Sequence, residues 1–282
     1  MNAIELYERH LIISRKSPTS IYQYLNDVKL FCRIVKIDPL KCTDEHIEKF
    51  IEELINRKYE NSTIVRKLAS LKSFYKFLFL KNHVKHSPLE TVPKFKIRIK
   101  EQKVLMREET EIIFETIDSY PLTLKGRAIH CLFRLFYFLG LRVSETVNLN
   151  ISNVRQNESI SFTGKGDKQR ILPLVSEKLI ISLDEWITFR KRFPGNALFI
   201  NARLKRISIR TVQRWIAELG NLAGIKEFLT PHVVRRSFAT HLLENGADIF
   251  SVADLLGHEN ISTTQRYAKV TERKRKETLK LL

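Results

Sequence analysis

The sequence predicts a mostly α-helical protein with one small antiparallel β-sheet, divided into two domains. Three observations support this fold class. The first 90 residues carry four consecutive helix patterns. A short segment rich in proline and basic residues comes next. Beyond it, helix patterns resume and are interrupted once, by two strand patterns that flank a glycine-containing turn.

Capping signals delimit the N-terminal helices. Ser17-Pro18 is a cap followed by proline at the first helical position, and Asn61 opens a long apolar helix. The predicted helices are Asn2 to Ile13, Ser17 to about Lys36, Thr43 or Asp44 to Arg57, and Asn61 to about Leu80. Helices of this length form a small bundle. We assign the bundle to a first domain, residues 1–88.

Residues 89–104 are predicted to be a basic linker. Pro88 and Pro93 disfavour helix, and alternation of basic with apolar residues indicates an extended segment. The basic residues are Lys94, Lys96, Arg98, Lys100 and Lys103. The segment is either a solvated connection or a stretch of chain that lies along a phosphate backbone. The net charge of the protein favours the second interpretation.

Residues 105–282 form the second predicted domain, which combines helices with a β-hairpin. Strand patterns at 159–163 and 169–174 flank the turn Gly164-Lys165-Gly166-Asp167, a hairpin signal. Gly140 ends one of the helices. The predicted helices span 107–119, 124–139, 176–192, 208–222, 231–244, 248–256 and 262–269.

The charge balance indicates a polyanionic partner. Lysine and arginine number 49 against 31 acidic residues, which gives a net charge of +18. Such an excess attracts nucleic acids or anionic membranes. The sequence contains neither an apolar run of 18 residues nor a signal-peptide pattern, so we expect a cytoplasmic protein that acts on nucleic acid without a membrane partner.

The motifs of several enzyme classes are absent from the sequence. It contains no Walker loop, GxSxG, HExxH or dinucleotide-binding fingerprint. Its three cysteines have no paired spacing, which argues against a disulfide framework or a cysteine-ligated zinc site. Missing motifs do not by themselves exclude a carboxylate-metal nuclease, but Asp248, Asp254 and Glu259 have the pattern of surface residues on two short helices. We predict no cofactor and no metal site.

A set of cationic residues could bind a phosphate group. Thr230 and Pro231 begin a helix that carries His232 and Arg235 on one face of its N-terminus, a position that favours anions. Arg142 follows the helix-ending Gly140. Read singly, each of these cations has an ordinary explanation, such as a capped surface helix or, for Arg142, an ion pair with Glu145.

Three more residues complete a reactive set. Lys165 lies at the hairpin tip, His258 follows a helix-ending glycine, and Tyr267 is the only tyrosine beyond residue 137. Read singly, Lys165 is an ordinary turn lysine, His258 is a helix-capping residue, and Tyr267 anchors an amphipathic helix. Together with two arginines and a second histidine they supply what metal-free phosphoryl transfer needs. Guanidiniums neutralise the phosphate, imidazole and ammonium move protons, and phenolate attacks.

These segments resemble the tyrosine recombinase (phage-integrase) family, and the Xer-type branch most closely. The resemblance is carried by Gly140–Glu145, by Thr163–Pro173 and, most of all, by the run from Thr230 to Val270. That run includes Thr230 to His241, Leu255-Leu256-Gly257-His258, and Tyr267 at the expected distance. It implies an N-terminal helical core-binding (SAM-like) domain followed by an α+β tyrosine-recombinase catalytic domain. Arg236 departs from the family pattern, because Xer relatives usually have histidine at this position.

The resemblance implies a role for each matched residue. Arg142 and Arg235 clamp the phosphate, and Lys165 is the general acid. His232 and His258 flank the phosphate, Tyr267 is the nucleophile, and Glu145 helps to order the site. The implied partners are double-stranded DNA and three further copies of the chain, in a homo-tetramer on two DNA sites closed by cyclic docking of the C-terminal tail. An accessory DNA translocase is a further candidate partner.

Two other functions use the same features. A type IB topoisomerase-like enzyme would relax DNA strands with the same residues but without an ordered tetramer. A DNA-binding regulator on a recombinase fold would bind without cutting, and it would have no need of Tyr267. The complete reactive set argues against the regulator. The family resemblance implies a site-specific recombinase that forms a 3′-phosphotyrosine and exchanges strands through a Holliday junction.

Overall fold

The computed structural model describes residues 2–90, 92, 103–155, 157–164, 169–225 and 229–257. The chain divides into two units, residues 1–101 and 102–282, each with its own hydrophobic core. Most of the predicted linker and the predicted helix 262–269 lie outside the described residues. The extended linker and the two boundaries that separate the three predicted segments therefore stay predictions.

The described part of the N-terminal unit, residues 2–90 and 92, contains four α-helices and one short 3₁₀ turn. They are α1 (Ala3–Ile13), α2 (Pro18–Val35), η1 (Pro39–Lys41), α3 (Asp44–Asn56) and α4 (Asn61–Leu80). Predicted caps are confirmed: the Ser17 hydroxyl accepts the backbone N–H of Ser20, and Pro18 is the first helical residue. The buried Asp27 carboxylate ties α2 to α4 through Arg66 and Lys67, at 2.5 and 3.0 Å.

The second unit has seven described α-helices, one 3₁₀ turn and a three-stranded sheet. The helices are α5 (Arg107–Asp118), α6 (Leu124–Leu139), α7 (Val143–Asn148), α8 (Glu177–Arg190), α9 (Ile209–Leu222), α10 (Pro231–Glu244) and α11 (Ile249–Leu256), with η2 at Ile151–Asn153. The strands are β1 (Val154–Arg155), β2 (Ser159–Thr163) and β3 (Gln169–Pro173).

The sheet is antiparallel in the order β1-β2-β3. Ile160 on β2 lies opposite Leu172 on β3 and Val154 on β1. The predicted mostly α-helical fold with a small antiparallel sheet is thus confirmed. The sequence analysis missed β1, because a strand of two residues is too short to show a period-2 pattern.

Helix α6 is the centre of the second core and packs against α8 and α10. Ile129, Leu132, Phe133 and Phe136 on α6 are fully buried. Arg134 also lies on α6 among these apolar residues, and its guanidinium forms an ion pair with the Asp118 carboxylate at 2.5 Å. Among the described helices, none combines the length and the apolar character that crossing a membrane requires.

Helix α7 was not predicted. Only six residues long, it begins directly after the turn that ends α6, and it is too short for a periodic pattern. Its presence changes the environment of Arg142. A polar side chain between the apolar Leu141 and Val143 would be expected to face outward, whereas the structure leaves only 26% of the Arg142 side chain exposed.

Candidate active site

The site begins at the turn between α6 and α7. Gly140 ends α6 with φ of +60°, a left-handed conformation that glycine adopts readily. A Cβ at Gly140 would lie 2.5 Å from the Phe238 ring, so the close packing of α10 also requires glycine here. This turn makes Arg142 the N-cap residue of α7.

The Glu145 carboxylate lies at the centre of a cluster of guanidinium groups. One oxygen accepts the Arg142 backbone N–H and the other accepts Arg142 Nη1, both at 2.7 Å. Arg235 Nη1 lies 3.8 Å from Glu145 Oε2, and Arg170 Nη1 lies 3.7 Å from Oε1. Only 5% of the Glu145 side chain is exposed. Burial strengthens these attractions, since the local dielectric is low.

Backbone carbonyl groups at the end of α11 are a second set of hydrogen-bond partners for Arg142 and Arg235. Arg235 Nη2 donates to the Leu256 carbonyl at 2.7 Å, and Arg142 Nη2 donates to the Gly257 carbonyl at 2.9 Å. Carbonyl groups at a helix C-terminus carry partial negative charge, so they stabilise the guanidiniums. Arg235 also donates to the Gly140 carbonyl. Both guanidiniums are thereby oriented before any ligand arrives.

His232 lies at the surface in the first turn of α10. Thr230 caps this helix by accepting the Val233 backbone N–H at 3.1 Å, and Pro231 is its first residue. The pKa of His232 is lowered, first by partial desolvation of the ring and then by the positive charges of Arg235, Arg236 and Arg142. The imidazole is therefore neutral at pH 7 and can accept a proton.

The structure brings Arg142, Glu145, His232 and Arg235 into one electrostatic cluster. The other three predicted site residues, Lys165, His258 and Tyr267, lie outside the described residues. Arg236 points elsewhere: its Nη1 donates to the Lys103 carbonyl at 3.0 Å, where the second unit begins. Within the described ranges, no group of three or more His, Cys, Asp or Glu side chains could hold a metal ion.

Arg170 is the residue that the sequence analysis missed, because it was treated only as part of a strand. It lies opposite Phe162 in the β2–β3 register, and the same face of β3 carries the buried Leu172. An arginine at an inward position of a short alternating strand is unusual. This inward position in the strand pattern could have identified Arg170 from the sequence.

Comparison with known proteins covers both units. Residues 103–274 match the phage integrase family model, and residues 4–82 match the model for the phage integrase N-terminal SAM-like domain. Tyrosine recombinase XerC of Thermodesulfovibrio yellowstonii is 34% identical, over 90% of this chain and 86% of that protein. A tyrosine recombinase of Pseudothermotoga lettingae is 36% identical, over 93% of this chain and 91% of that protein.

The fold is shared with solved recombinase structures. One of them is the XerH site-specific recombinase bound to palindromic difH substrate, in a post-cleavage complex. The two structures agree with a TM-score of 0.75 at 21% identity, over 93% of this chain and 79% of that chain.

Proposed function

Because the chain belongs to the phage integrase family and is a tyrosine recombinase, an enzyme of site-specific DNA recombination, we propose that Tyr267 is its nucleophile on double-stranded DNA. The observation that carries this proposal is the pair of guanidiniums, Arg142 and Arg235, held on the buried Glu145. Two oriented cations beside a helix N-terminus form a site for a phosphodiester.

In the proposed reaction, the Tyr267 phenol oxygen attacks the scissile phosphorus. A phosphorus–oxygen bond to tyrosine forms, and the bond to the 5′ oxygen of the departing strand breaks. The neutral His232 ring accepts the phenol proton, and the Lys165 ammonium protonates the departing 5′ oxygen. His258 would flank the phosphate. The phosphodiester energy is kept in the 3′-phosphotyrosine, so a 5′ hydroxyl can reverse the reaction without ATP.

The arginines would act on the charge that develops in this reaction. Negative charge grows on the two non-bridging oxygens as the tyrosine attacks, and oriented guanidiniums stabilise it without reorganisation. Glu145 keeps Arg142 and Arg235 oriented while DNA is absent. Since these cations can supply the neutralisation, we propose that cleavage proceeds without a metal ion.

The wider reaction needs more than one copy of the chain. We propose a tetramer on two DNA sites that exchanges one pair of strands at a time through a Holliday junction. The tail after Tyr267, with its apolar end at Leu279, Leu281 and Leu282, would dock on the next subunit. Head-to-tail docking of this kind closes a ring. An enzyme of chromosomal or plasmid DNA would act in the cytoplasm.

Covalent trapping tests the nucleophile. A pool of duplex oligonucleotides with a randomised core is incubated with the protein, and SDS-resistant complexes are recovered and sequenced to define a cleaved site. A nicked duplex carrying that site then traps the covalent intermediate, because the short 5′ product diffuses away. We expect Tyr267→Phe to abolish trapping without weakening DNA binding, and we expect trapping to persist in EDTA.

The matched control for this experiment is Tyr22→Phe, since Tyr22 is an exposed tyrosine at 70% relative exposure. It should trap as much DNA as the unmodified protein. A covalent peptide that maps to another residue would overturn the assignment of Tyr267. Strict dependence of trapping on Mg²⁺ would overturn the metal-free mechanism.

A further inference from the structure

Arg170 is a buried cation that the proposed reaction does not use. It lies on β3, two residues beyond the end of the segment 165–168, and 15% of its side chain is exposed. Its guanidinium carbon lies 5.2 Å from the centre of the Phe162 ring. Burial lowers the pKa of Arg170, while the negative charge of Glu145 opposes this shift. A cation is kept at this position in spite of desolvation.

Three successive carbonyl groups at the end of α11 each accept a hydrogen bond from a different arginine. The Leu255 carbonyl accepts from Arg170 Nη2, and the next two, Leu256 and Gly257, accept from Arg235 and Arg142. Arg170 thus binds the first carbonyl of the row that orients the two proposed phosphate-binding arginines.

The other side of the Arg170 guanidinium faces Glu145 and Gly257. Its Nη1 lies 3.7 Å from Glu145 Oε1 and has no hydrogen-bond partner within the described part of the chain. A Cβ at Gly257 would lie 2.7 Å from this same nitrogen. Arg170 is therefore packed between the carboxylate that orders the site and the backbone of the residue that follows α11.

We propose that Arg170 is a positioning residue for DNA cleavage, which acts by holding Glu145 and the last turn of α11 together. The fork of the guanidinium suits this task, since one nitrogen binds the helix carbonyl while the other attracts the carboxylate. With both held, Arg142 and Arg235 present their guanidiniums to the phosphate as one unit. This inference rests on the proposed function.

The test is single-turnover cleavage of the nicked duplex by Arg170→Gln. We expect the cleavage rate constant to fall about 10-fold to 100-fold, as for other groups that orient reacting side chains, with the dissociation constant for DNA unchanged. The matched control is Arg155→Gln, an exposed arginine of the same sheet, which should cleave at the unmodified rate. A cleavage rate of Arg170→Gln equal to that of the control would overturn the inference.

A double-mutant cycle shows whether Arg170 acts through Glu145. Residues in contact give non-additive effects, whereas independent residues give losses that multiply. We expect the further loss from Arg170→Gln to be smaller in a Glu145→Gln protein than in the unmodified one. Multiplying losses, or weakened DNA binding at an unchanged cleavage rate, would show that Arg170 is instead an independent DNA contact.

Arg170→Lys covers the case in which Arg170→Gln does not fold. Lysine restores the charge, but its single ammonium cannot span the Leu255 carbonyl and Glu145 as the fork does. We expect slow cleavage at normal DNA affinity, and a fully restored rate would overturn the positioning role. If the unmodified protein itself failed to trap DNA, the proposed function would fail. If it traps DNA and both variants match it, only this inference fails.

Discussion

At the scale of single residues, the environment of each side chain decides what it can do chemically. His232 illustrates this, because its neighbours are cations rather than the carboxylate that often accompanies a catalytic histidine. Desolvation and the charges of Arg235, Arg236 and Arg142 all lower its pKa from the ordinary value of 6.5. At any given pH the ring is therefore more often neutral, and able to accept a proton, than an ordinary histidine.

This environment predicts the acidic limb of the pH profile. A general base stops accepting protons only when the pH falls below its pKa. The decrease of kcat/KM toward acidic pH should therefore have its midpoint below pH 6.5. At low DNA concentration this parameter reports the free enzyme. The measurement is the initial rate of covalent trapping between pH 5 and pH 8. His232→Gln should lower the rate and remove the limb.

Arg236→Gln provides a separate check on the cause. Arg236 lowers the pKa of His232 without touching Glu145 in any contact described above. Removing this charge should move the midpoint toward higher pH. An acidic limb centred at or above 6.5 in the unmodified protein would show that His232 is not the base.

At the scale of elements, the position of α7 depends on the loop that follows α8. Leu198 donates its backbone N–H to the Leu149 carbonyl at 2.8 Å, just beyond the C-terminus of α7. Arg206 adds hydrogen bonds to the carbonyls of Val147 and Leu149, at 2.8 and 2.9 Å. These contacts hold the helix that carries Glu145.

Arg190 in turn organises this loop. The side chain is fully buried, and its guanidinium donates to the carbonyls of Phe193, Pro194, Gly195 and Ala197. Removing one partner of a buried charged network leaves polar groups without partners. Arg190→Met should therefore lower the free energy of unfolding of the second unit by about 3–5 kcal/mol.

Urea unfolding followed by tryptophan fluorescence measures this loss for the second unit alone, because the two tryptophans of the chain are Trp186 and Trp215. The matched control is Arg192→Met, an exposed arginine two residues away, which should change stability by less than about 0.5 kcal/mol. Equal effects of the two variants would show that the carbonyl network is not the reason that Arg190 is buried.

At the scale of the whole molecule, the net charge of +18 predicts strong dependence of DNA binding on salt. Read from the sequence alone, an acid-free basic run is expected to contact phosphates; it comprises Arg203, Lys205, Arg206, Arg210 and Arg214. Arg206 has a different role, since its guanidinium donates hydrogen bonds to the carbonyls of Val147 and Leu149 at the C-terminal end of α7. Arg210 and Arg214 are exposed one turn apart on α9, so they can face one phosphate strand.

Replacing Arg210 and Arg214 by glutamine should flatten the slope of log K against log salt by about 1.8, at about 0.9 for each lost phosphate contact. The control replaces Lys178 and Lys191, both exposed near the ends of α8. Each double variant removes two positive charges, so both carry +16 instead of +18. Equal slopes for the two variants would place α9 away from the DNA.

The sequence by itself determined the features that depend on neighbours along the chain. Periodicity, capping residues and turn glycines predicted the described α-helices other than α7 to within about two residues, because helix ends are decided by local hydrogen bonds. The same local order placed His232 and Arg235 at a helix N-terminus. The motifs around the reactive residues resemble one family, and the comparisons confirm that the chain belongs to it.

Only the tertiary structure decided which groups surround Glu145. Arg142 and the Gly257 carbonyl are 115 residues apart, and Arg170 and the Leu255 carbonyl are 85 apart. Such contacts arise from the packing of α7, β3, α10 and α11 against one another, and no periodic pattern in the sequence encodes them. A lone arginine on a strand has the same local appearance whether it faces solvent or a buried carboxylate. Arg170 was missed and Arg206 was assigned to DNA for that physical reason.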